Sequence, residues 1–297
     1  MTKTMAARKD RRPRIACELN ALNVVAAHAG DGNIIDVSSV RALPAGAITP
    51  SLTGTNIANR EAVKAALAEA MALLGGRGRD VIMVLPDAAC RVVLLDFDTL
   101  PDKRDEADVV VRFRLKKSLP FDIERSRVSW QTQRTNDKLM VVAAVTLGTI
   151  LEEYESALRD VGVIPGVVLP SMLAALGLVD AAIPTLLIKV DAVTTSIAIV
   201  DNGALLLART LDHPIGRPPE GTQLAEDVYP SLVFFQDTYG TKLQRILVSG
   251  LASVDDLNAT LAEATGIRAQ ELVDAALVGV SAGPQRSTLG AVAGALV

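Results

Sequence analysis

The sequence predicts an α/β fold made of two similar halves, with a small α+β subdomain inserted in the first half. A succession of three short strands and a helix occurs twice, so the chain repeats at the level of topology. A different block of strands and one helix lies between the two instances. The length of 297 residues suffices for two cores, because single cores rarely grow beyond about 250–300 residues.

The first domain is predicted at residues 14–184. Short apolar runs predict strands at 14–20, 23–30 and 34–43, with a turn at Asp31-Gly32-Asn33. A helix is then predicted at 60–75. Its apolar residues recur at the spacing of one buried face, at positions 63, 66, 67, 70, 71 and 74.

The inserted subdomain is predicted at residues 80–147. It begins with strands at 80–86 and 90–98, continues with a helix opened by Asp102, and ends with two strands joined by a turn. The helix is expected to stop at Leu119-Pro120-Phe121, because proline keeps the residue before it out of the helical conformation. This block predicts a small sheet covered by one helix.

Three elements complete the first domain. An amphipathic helix is predicted at 148–162, followed by a strand ending at Pro170 and a helix capped by Ser171. Residues 161–179 carry no charge and pass a length test for a membrane span. Pro165 and the residues around it split this stretch, so a buried strand, a turn and a helix are the better interpretation.

The second domain is predicted at residues 185–286. Three strands fall within 185–211, and the last two are joined by a hairpin at Asp201-Asn202-Gly203. A helix at 222–239, a strand at 245–250 and a helix ending at Gly266 follow. Residues 287–297 are small and apolar and are expected to form a helix that returns to the first domain. Residues 1–13 are expected to form a flexible basic tail.

Composition excludes several classes of function. Aromatic residues make up 3% of the chain and the pI is near 5.4, which argues against nucleic acid as a partner. Cys17 and Cys90 lie far apart and only two histidines are present, so neither a disulfide framework nor a metal site is predicted. A reducing cytoplasm fits this cysteine usage, and no signal peptide is recognised in the amino-terminal residues.

The repeat, with a second half that ends in a strand, Ser-Gly and a final helix, resembles the actin-like ATPase superfamily, whose fold is ribonuclease H-like. Within it, the insert resembles the PilM family of type IV pilus assembly proteins. The residues that carry this resemblance are Leu85-Pro86, Leu100-Pro101, Lys116-Lys117 and Leu119-Pro120-Phe121. The segment "QLAEDVYPSLVFFQDTYGTKLQRILVSG" at 223–250 is also similar to the family's helix and late strand.

The resemblance implies a nucleotide site at three loops, all of which are degenerate here. In the first turn Glu18 replaces Asp and Asn20 replaces Gly. The second turn keeps Asp191, Thr194 and Thr195, but Val193 stands where Gly is expected, and a β-branched residue there blocks close approach of a phosphate. In the adenosine loop, Ser249-Gly250 is followed by Leu251 instead of a second Gly.

These losses favour a nucleotide-independent scaffold, or a vestigial site with weak nucleotide binding, over a working ATPase. ATP and magnesium remain possible ligands, no cofactor is certain, and no catalytic residue is nominated. If the helix of the second half supplied a catalytic acid, Glu226 or Asp227 would be the candidates. An active ATPase or kinase of this fold is the enzymatic alternative, and it would need a positioned base that the sequence does not indicate.

The resemblance also implies a function as a cytoplasmic adaptor at the inner face of the cytoplasmic membrane. Its partner would be the cytoplasmic tail of a PilN-like membrane protein, held in a groove walled in part by the helix at 102–121, and other pilus assembly proteins could bind as well. The basic residues and the break that follows them are the predicted partner-binding residues: Arg112, Arg114, Lys116, Lys117, Leu119, Pro120 and Phe121. A solvated helix face and contact with acidic lipids are the alternatives for them. The rival within the fold is the cytoplasmic region of a type II secretion protein of the GspL kind.

Overall fold

The computed structural model describes residues 12–75, 79–135, 138–215, 217–219, 221–278 and 286–297, without the side chain of Ala264. The predicted turn at 136–137, most of the basic tail, and residues 76–78 of the loop before the fourth strand lie outside the described residues.

The first half is built on a five-stranded mixed sheet with the order β3-β2-β1-β4-β8. The strands β1, β2 and β3 form an antiparallel meander, and β4 and β8 continue the sheet in parallel with β1. Buried residues occupy both faces of β1 and β4, as expected for the centre of a covered sheet, and all of them except Glu18 are apolar. The five strands are β1 (Ile15–Leu19), β2 (Asn23–Ala29), β3 (Ile35–Ala42), β4 (Asp80–Leu85) and β8 (Ile164–Pro170).

Two helices cover one face of this sheet. Helix α1 (Arg60–Leu74) is capped by Asn59, whose side chain accepts a hydrogen bond from the Ala62 N–H. Its buried residues follow the predicted face and pack with those of α3 (Gly148–Arg159) in one apolar core. The predicted helix at 60–75 is therefore confirmed in position and in orientation.

The insert is a three-stranded antiparallel sheet with the order β5-β7-β6. Its strands are β5 (Arg91–Phe97), β6 (Ser126–Thr135) and β7 (Lys138–Leu147). Helix α2 (Arg104–Leu115) covers one face of the sheet through Ala107, Val111 and Leu115. Since β4 is the fourth strand of the main sheet, the insert does not begin at residue 80 as predicted.

The second half repeats the arrangement of the first with the strand order β11-β10-β9-β12-β13. The strands are β9 (Thr185–Val190), β10 (Thr194–Asp201), β11 (Ala204–Asp212), β12 (Arg245–Ser249) and β13 (Ala269–Glu271). Helices α5 (Gly221–Tyr239) and α6 (Asp255–Thr265) pack on one face. The predicted C-terminus of α6 is confirmed, because Gly266 adopts the left-handed conformation there.

Two short helices lie between the two main sheets. Helix α7 (Gly290–Leu296) packs on the first sheet, and α4 (Ser171–Ala175) packs on the second. Their backbones touch, since a Cβ added at Gly294 would lie 2.2 Å from the Ala174 carbonyl oxygen and one added at Gly177 would lie 2.1 Å from the Gly294 carbonyl oxygen. Small residues at this crossing are therefore a geometric requirement.

Two local predictions are wrong, and one residue of the predicted tail is held in place. Helix α2 has Lys103 at its N-cap in place of Asp102. Helix α4 has Pro170 at its N-cap, and the Ser171 hydroxyl donates to a carboxylate of the first sheet instead of capping the helix. In the predicted tail, Arg12 donates hydrogen bonds to the Ala295 and Val297 carbonyls, so this residue is tied to the end of α7.

Candidate functional site

A groove of about 450 Å³ lies where the insert, the first half and the second half meet. One wall consists of β6 and β7, through residues that include Gln131, Val142 and Ala144. The opposite wall is the end of β8 with α4, and the β10–β11 hairpin of the second half closes the groove. The volume lies within the range of about 300–1,000 Å³ that is typical of ligand sites.

Two sheet edges border this groove. Strand β8 is the last strand of the first sheet, and β6 is the last strand of the inserted sheet. On an edge strand, every second residue directs its backbone N–H and C=O away from the sheet, where an added strand can bind them. The groove therefore combines apolar lining residues with bordering strand edges, which is the requirement for binding an extended peptide.

Gln133 links the insert to the second half at this groove. Its amide nitrogen donates to the Leu205 carbonyl at 2.6 Å, and its amide oxygen accepts from the Leu205 N–H at 3.1 Å. The side chain thus pairs with Leu205 as a neighbouring strand would. The relative position of two groove walls depends on this pair of hydrogen bonds.

Trp130 is the only tryptophan of the chain and lies on β6 at the rim of the groove. Its indole N–H donates to Asp108 of α2 at 2.9 Å, and the Arg104 guanidinium stacks 3.3 Å from the centre of its ring. Burial opposes the charged form of Asp108, but hydrogen bonds from Trp130 and Arg112 outweigh it and lower the pKa of this carboxyl group. Helix α2 is therefore held to the inserted sheet by a polar contact as well as by its apolar face.

A second cavity, of about 210 Å³, lies where β1, β9 and β12 end. Glu18 and Asn20 line it from the first half. Lys189, Asp191 and Ser249 line it from the second half. The cavity therefore belongs to the cleft between the two halves.

A buried lysine dominates the polar chemistry of this cleft. The Lys189 ammonium lies 3.5 Å from a carboxylate oxygen of Glu18 and 3.5 Å from one of Asp191. The three side chains are 3–8% exposed. Burial favours the neutral amine, but the carboxylates of Asp191, Glu18 and Asp87 outweigh it and raise the pKa of Lys189 above its usual value. This lysine is consequently charged and joins one half to the other.

Asp87 extends the cluster behind the lysine. It follows β4, is 3% exposed, and accepts hydrogen bonds from the Met172 N–H at 2.9 Å and the Ser196 hydroxyl at 2.8 Å. Burial raises the pKa of Asp87 and of Glu18 above their usual values, although Lys189 opposes this shift in both. Sequence reasoning missed Asp87 and Lys189. A single lysine within the apolar run "TLLIKV" was the available signal of a buried charge.

No family model matches the sequence, and a search of curated proteins finds no match. The structure is similar to a chain of the PilM-PilN type IV pilus biogenesis complex, with a TM-score of 0.78 and 16% identity over 96% of this chain and 98% of that chain. A protein with an actin-like ATPase fold from Bacteroides thetaiotaomicron matches with a TM-score of 0.52 and 10% identity over 86% of this chain and 90% of that chain. The chain has the actin-like fold.

A further structural similarity concerns the alternative within this fold, a type II secretion protein. The cytoplasmic domain of EpsL, an inner-membrane component of the type II secretion system of Vibrio cholerae, matches with a TM-score of 0.51 and 10% identity over 79% of this chain and 80% of that chain. The predicted fold class is confirmed by these likenesses. Among the described residues, no helix has the length and hydropathy needed to cross a membrane.

The cleft of this actin-like chain does not fit a nucleotide with its metal ion. Its cavity is smaller than the usual range for ligand sites, and Lys189 lies between the carboxylates that could serve as ligands for a hard cation. Val193 packs with Ala21, Ala88 and Ala192 in an apolar cluster that joins the two turns. The position where the resemblance calls for glycine is thus filled by a side chain.

The remaining residues predicted for this site serve the chain itself. Asn20 closes the β1–β2 turn by accepting hydrogen bonds from the N–H groups of Leu22 and Asn23. Gly250 has a φ of +93°, and a Cβ there would lie 1.8 Å from the Val190 carbonyl oxygen, so glycine is required by packing within the chain. The Ser249 hydroxyl donates to the Ser287 carbonyl at 2.9 Å.

The other predicted site residues lie away from the cavity. Thr194 and Thr195 are buried in β10, their hydroxyls have no hydrogen-bond partner among the described residues, and neither lines the cavity. Glu226 and Asp227, on the first turns of α5, do not line it either. Asp227 accepts a hydrogen bond from Gln223. The structure therefore brings Glu18, Asn20, Asp191, Ser249 and Gly250 together and leaves these four residues out.

The predicted partner-binding residues lie on the side of the insert away from the groove. Side chains alternate along a strand, so Val141, Ala143 and Val145 face α2 while Val142 and Ala144 face the groove. The helix at 102–121 therefore does not line this groove, and its part in binding a partner stays a prediction. The seven predicted partner-binding residues differ in their surroundings. Arg112 pairs with Asp108, and Arg114 lies over the Phe97 ring. Leu119 and Phe121 pack on the insert core, whereas Lys116, Lys117 and Pro120 are exposed.

Proposed function

We propose that this chain is a cytoplasmic adaptor of a type IV pilus machinery. In this proposal the groove binds a short, extended segment from the cytoplasmic tail of a PilN-like inner-membrane protein. The observation that carries the proposal is the groove itself, whose apolar lining residues lie between two strand edges. The likeness to a chain of the PilM-PilN complex over 96% of this chain supports the choice of partner.

The size of the groove limits what can bind there. A volume of about 450 Å³ accommodates two or three apolar side chains of the size of leucine or valine. Burying each contributes about 1.5–3 kcal/mol, from which the cost of ordering a flexible peptide is subtracted. Three such side chains contribute at most about 9 kcal/mol before this subtraction, so the expected dissociation constant is micromolar or weaker.

Trp130 provides a direct assay for this binding. Because it is the only tryptophan and lies at the rim of the groove, a bound peptide is expected to change its fluorescence. The peptide to use is the amino-terminal cytoplasmic segment of the PilN-like protein from the same organism, with a scrambled version as its control. Isothermal titration calorimetry of the same pair measures the affinity independently.

Two neighbouring residues of β6 form a matched pair of variants. Gln131 lines the groove and Thr132 points to the other face of the sheet, and both are exposed. Gln131→Arg is expected to weaken peptide binding by about tenfold or more, because the long charged side chain obstructs an apolar groove. Thr132→Arg is expected to bind as the wild type does. Equal affinities for both variants would show that the peptide binds elsewhere.

We also propose that the outer face of α2 contacts the anionic surface of the cytoplasmic membrane. Val109 and Phe113 lie one turn apart and are 67% and 64% exposed. Lys116 and Lys117 are exposed at the end of the same helix, with the Lys117 ammonium 5.8 Å from the Phe113 ring. Each cation near such a surface contributes about 1 kcal/mol, so an apolar pair with adjacent lysines suits weak, reversible attachment.

Sedimentation with lipid vesicles tests this second surface. Binding to vesicles rich in phosphatidylglycerol, with little binding to phosphatidylcholine vesicles, is the expected result. The double variant Lys116→Glu/Lys117→Glu is expected to abolish it, while Lys64→Glu, on an exposed position of α1, is not. Equal binding of the wild type and the double variant would exclude α2 as the membrane contact.

A further inference from the structure

The cleft between the halves contains a positively charged side chain, the ammonium group of Lys189. Lys189 lies in the central strand β9, where all six residues are buried. Two carboxylates approach its ammonium to 3.5 Å, and they come from different halves, since Glu18 belongs to β1 and Asp191 follows β9. A third buried carboxylate, Asp87, lowers the electrostatic energy of the same ammonium.

Carboxylates gathered in a buried cleft need positive charge, because an unpaired buried charge is costly. Oxygen-rich sites in proteins meet this need by binding a hard divalent cation. Here the lysine meets it from within the chain, and the carboxylates Glu18 and Asp191 are already joined through it. We infer that Lys189 is a tethered cation that holds the two halves together in place of a bound metal ion and nucleotide.

Apolar contacts reinforce this link on the adjoining side of the cleft. Ala21 and Ala88 of the first half pack against Ala192 and Val193 of the second half. The two turns that flank the cleft are therefore in direct contact. The charged link and the apolar cluster both act within the chain, so the closed arrangement of the halves does not depend on a bound nucleotide.

This link has a consequence for the groove, which rests on the proposed function. The insert and the end of β8 form opposite walls of the groove, and the β10–β11 hairpin of the second half closes it. Lys189 lies on the strand that pairs with β10, with Ser196 as its neighbour in the register. A change in the angle between the halves would move this hairpin away from the two walls, so the link through Lys189 keeps the groove closed on that side.

Distance measurements between the halves test the inference without the peptide. Spin labels are attached to cysteines introduced at Ala68 of α1 and Thr238 of α5, two exposed positions on opposite halves, with the native Cys17 and Cys90 buried. The distance distribution is recorded by pulsed electron resonance, with and without magnesium ATP. We expect a single narrow distribution for the wild type, unchanged by magnesium ATP.

Removal of the ammonium is expected to open the cleft. Lys189→Met should broaden the distribution or shift it to longer distances, while Lys138→Met, at an exposed position of β7, should not. Millimolar magnesium chloride should restore the narrow distribution in Lys189→Met, because a divalent cation can then take the place of the ammonium between the carboxylates. If Lys189→Met does not fold, the triple variant Lys189→Met/Glu18→Gln/Asp191→Asn is measured instead, because it also removes the two carboxylate charges that lie 3.5 Å from the ammonium.

Two results would overturn the inference. One is a distribution for Lys189→Met, or for the triple variant, that equals that of Lys138→Met. The other is a wild-type distribution that narrows or shortens when magnesium ATP is added. Failure of the wild-type protein to bind the PilN-like peptide would overturn the proposed function instead. The role of Lys189 would then still be tested by the distances between the spin labels.

Discussion

Lys189→Met is expected to destabilise the chain strongly, in a way that depends on pH. Removing one partner of a buried ion pair costs about 3–5 kcal/mol, because the other charge stays buried without compensation. A folded domain has only about 5–15 kcal/mol of stability, so the loss is a large fraction of the total. With a urea m value of about 3 kcal/mol per molar, the unfolding midpoint should fall by about 1 M or more.

The pH dependence follows from the two carboxyl groups that burial affects. Burial raises the pKa of Glu18 and of Asp87 in the folded protein, and removing Lys189 takes away the charge that opposes this shift. As the pH falls through such a raised pKa, the folded state binds a proton that the unfolded state does not yet bind, so stability increases. The difference between variant and wild type should therefore shrink as the pH is lowered from 8 toward the unfolded pKa of these groups, about 4.

The stability of the wild type at high pH provides a second test. The pKa of Lys189 is raised in the folded protein, because the carboxylates outweigh burial, so its contribution is fully present below the unfolded pKa of about 10.4. Above that pH the wild type should lose stability relative to Lys189→Met. Urea unfolding followed by circular dichroism from pH 5 to 11 measures both trends. A difference that stays constant over this range, or a loss below about 1 kcal/mol, would refute the buried ion pair.

Three further variants test the packing that positions the site. Gly294→Ala should lower the melting temperature, although alanine favours a helix by about 1 kcal/mol, because its Cβ would overlap the Ala174 carbonyl; calorimetry showing stabilisation would contradict this contact. Glu153→Ala should lower the free energy of unfolding in urea by about 1–3 kcal/mol, because one Glu153 carboxylate oxygen accepts hydrogen bonds from the backbone N–H groups of Asn56 and Ile57. An unchanged unfolding midpoint would argue against these hydrogen bonds. Asp108→Ala should free the indole of the single tryptophan and shift its emission to the red, at a cost of about 1 kcal/mol, whereas an unshifted spectrum would show that α2 stays attached without it.

Periodicity and turn residues account for most of the predicted elements. The apolar spacing of residues 60–75 identified both α1 and its buried face, and the run at 185–211 identified the meander of the second half. The assignment of β4 failed, because its residues are apolar on both faces whether the strand lies in the main sheet or in an insert. Membership of a sheet depends on pairing with β1 and β8, which are distant in sequence.

The degenerate loops were visible in the sequence, but their new roles were not. The sequence shows directly that Val193 and Asn20 stand at positions where the family pattern has glycine. That Val193 blocks the approach of a phosphate stays a prediction. That Val193 contacts Ala21 and Ala88, and that Asn20 closes its own turn, follows only from the packing of two halves. No local pattern encodes a contact between residues so far apart in sequence.

The sequence by itself determined the two-part α/β architecture, the insert and the loss of glycines at three loops, because propensity, periodicity and turn chemistry act over a few residues. Only the tertiary structure decided which side of the insert forms the groove and which charges meet in the cleft. The face of a strand depends on register, and the pairing of Lys189 with Glu18 depends on how two sheets lie against each other. These are long-range properties, and they place the groove on the face of the inserted sheet opposite the basic helix.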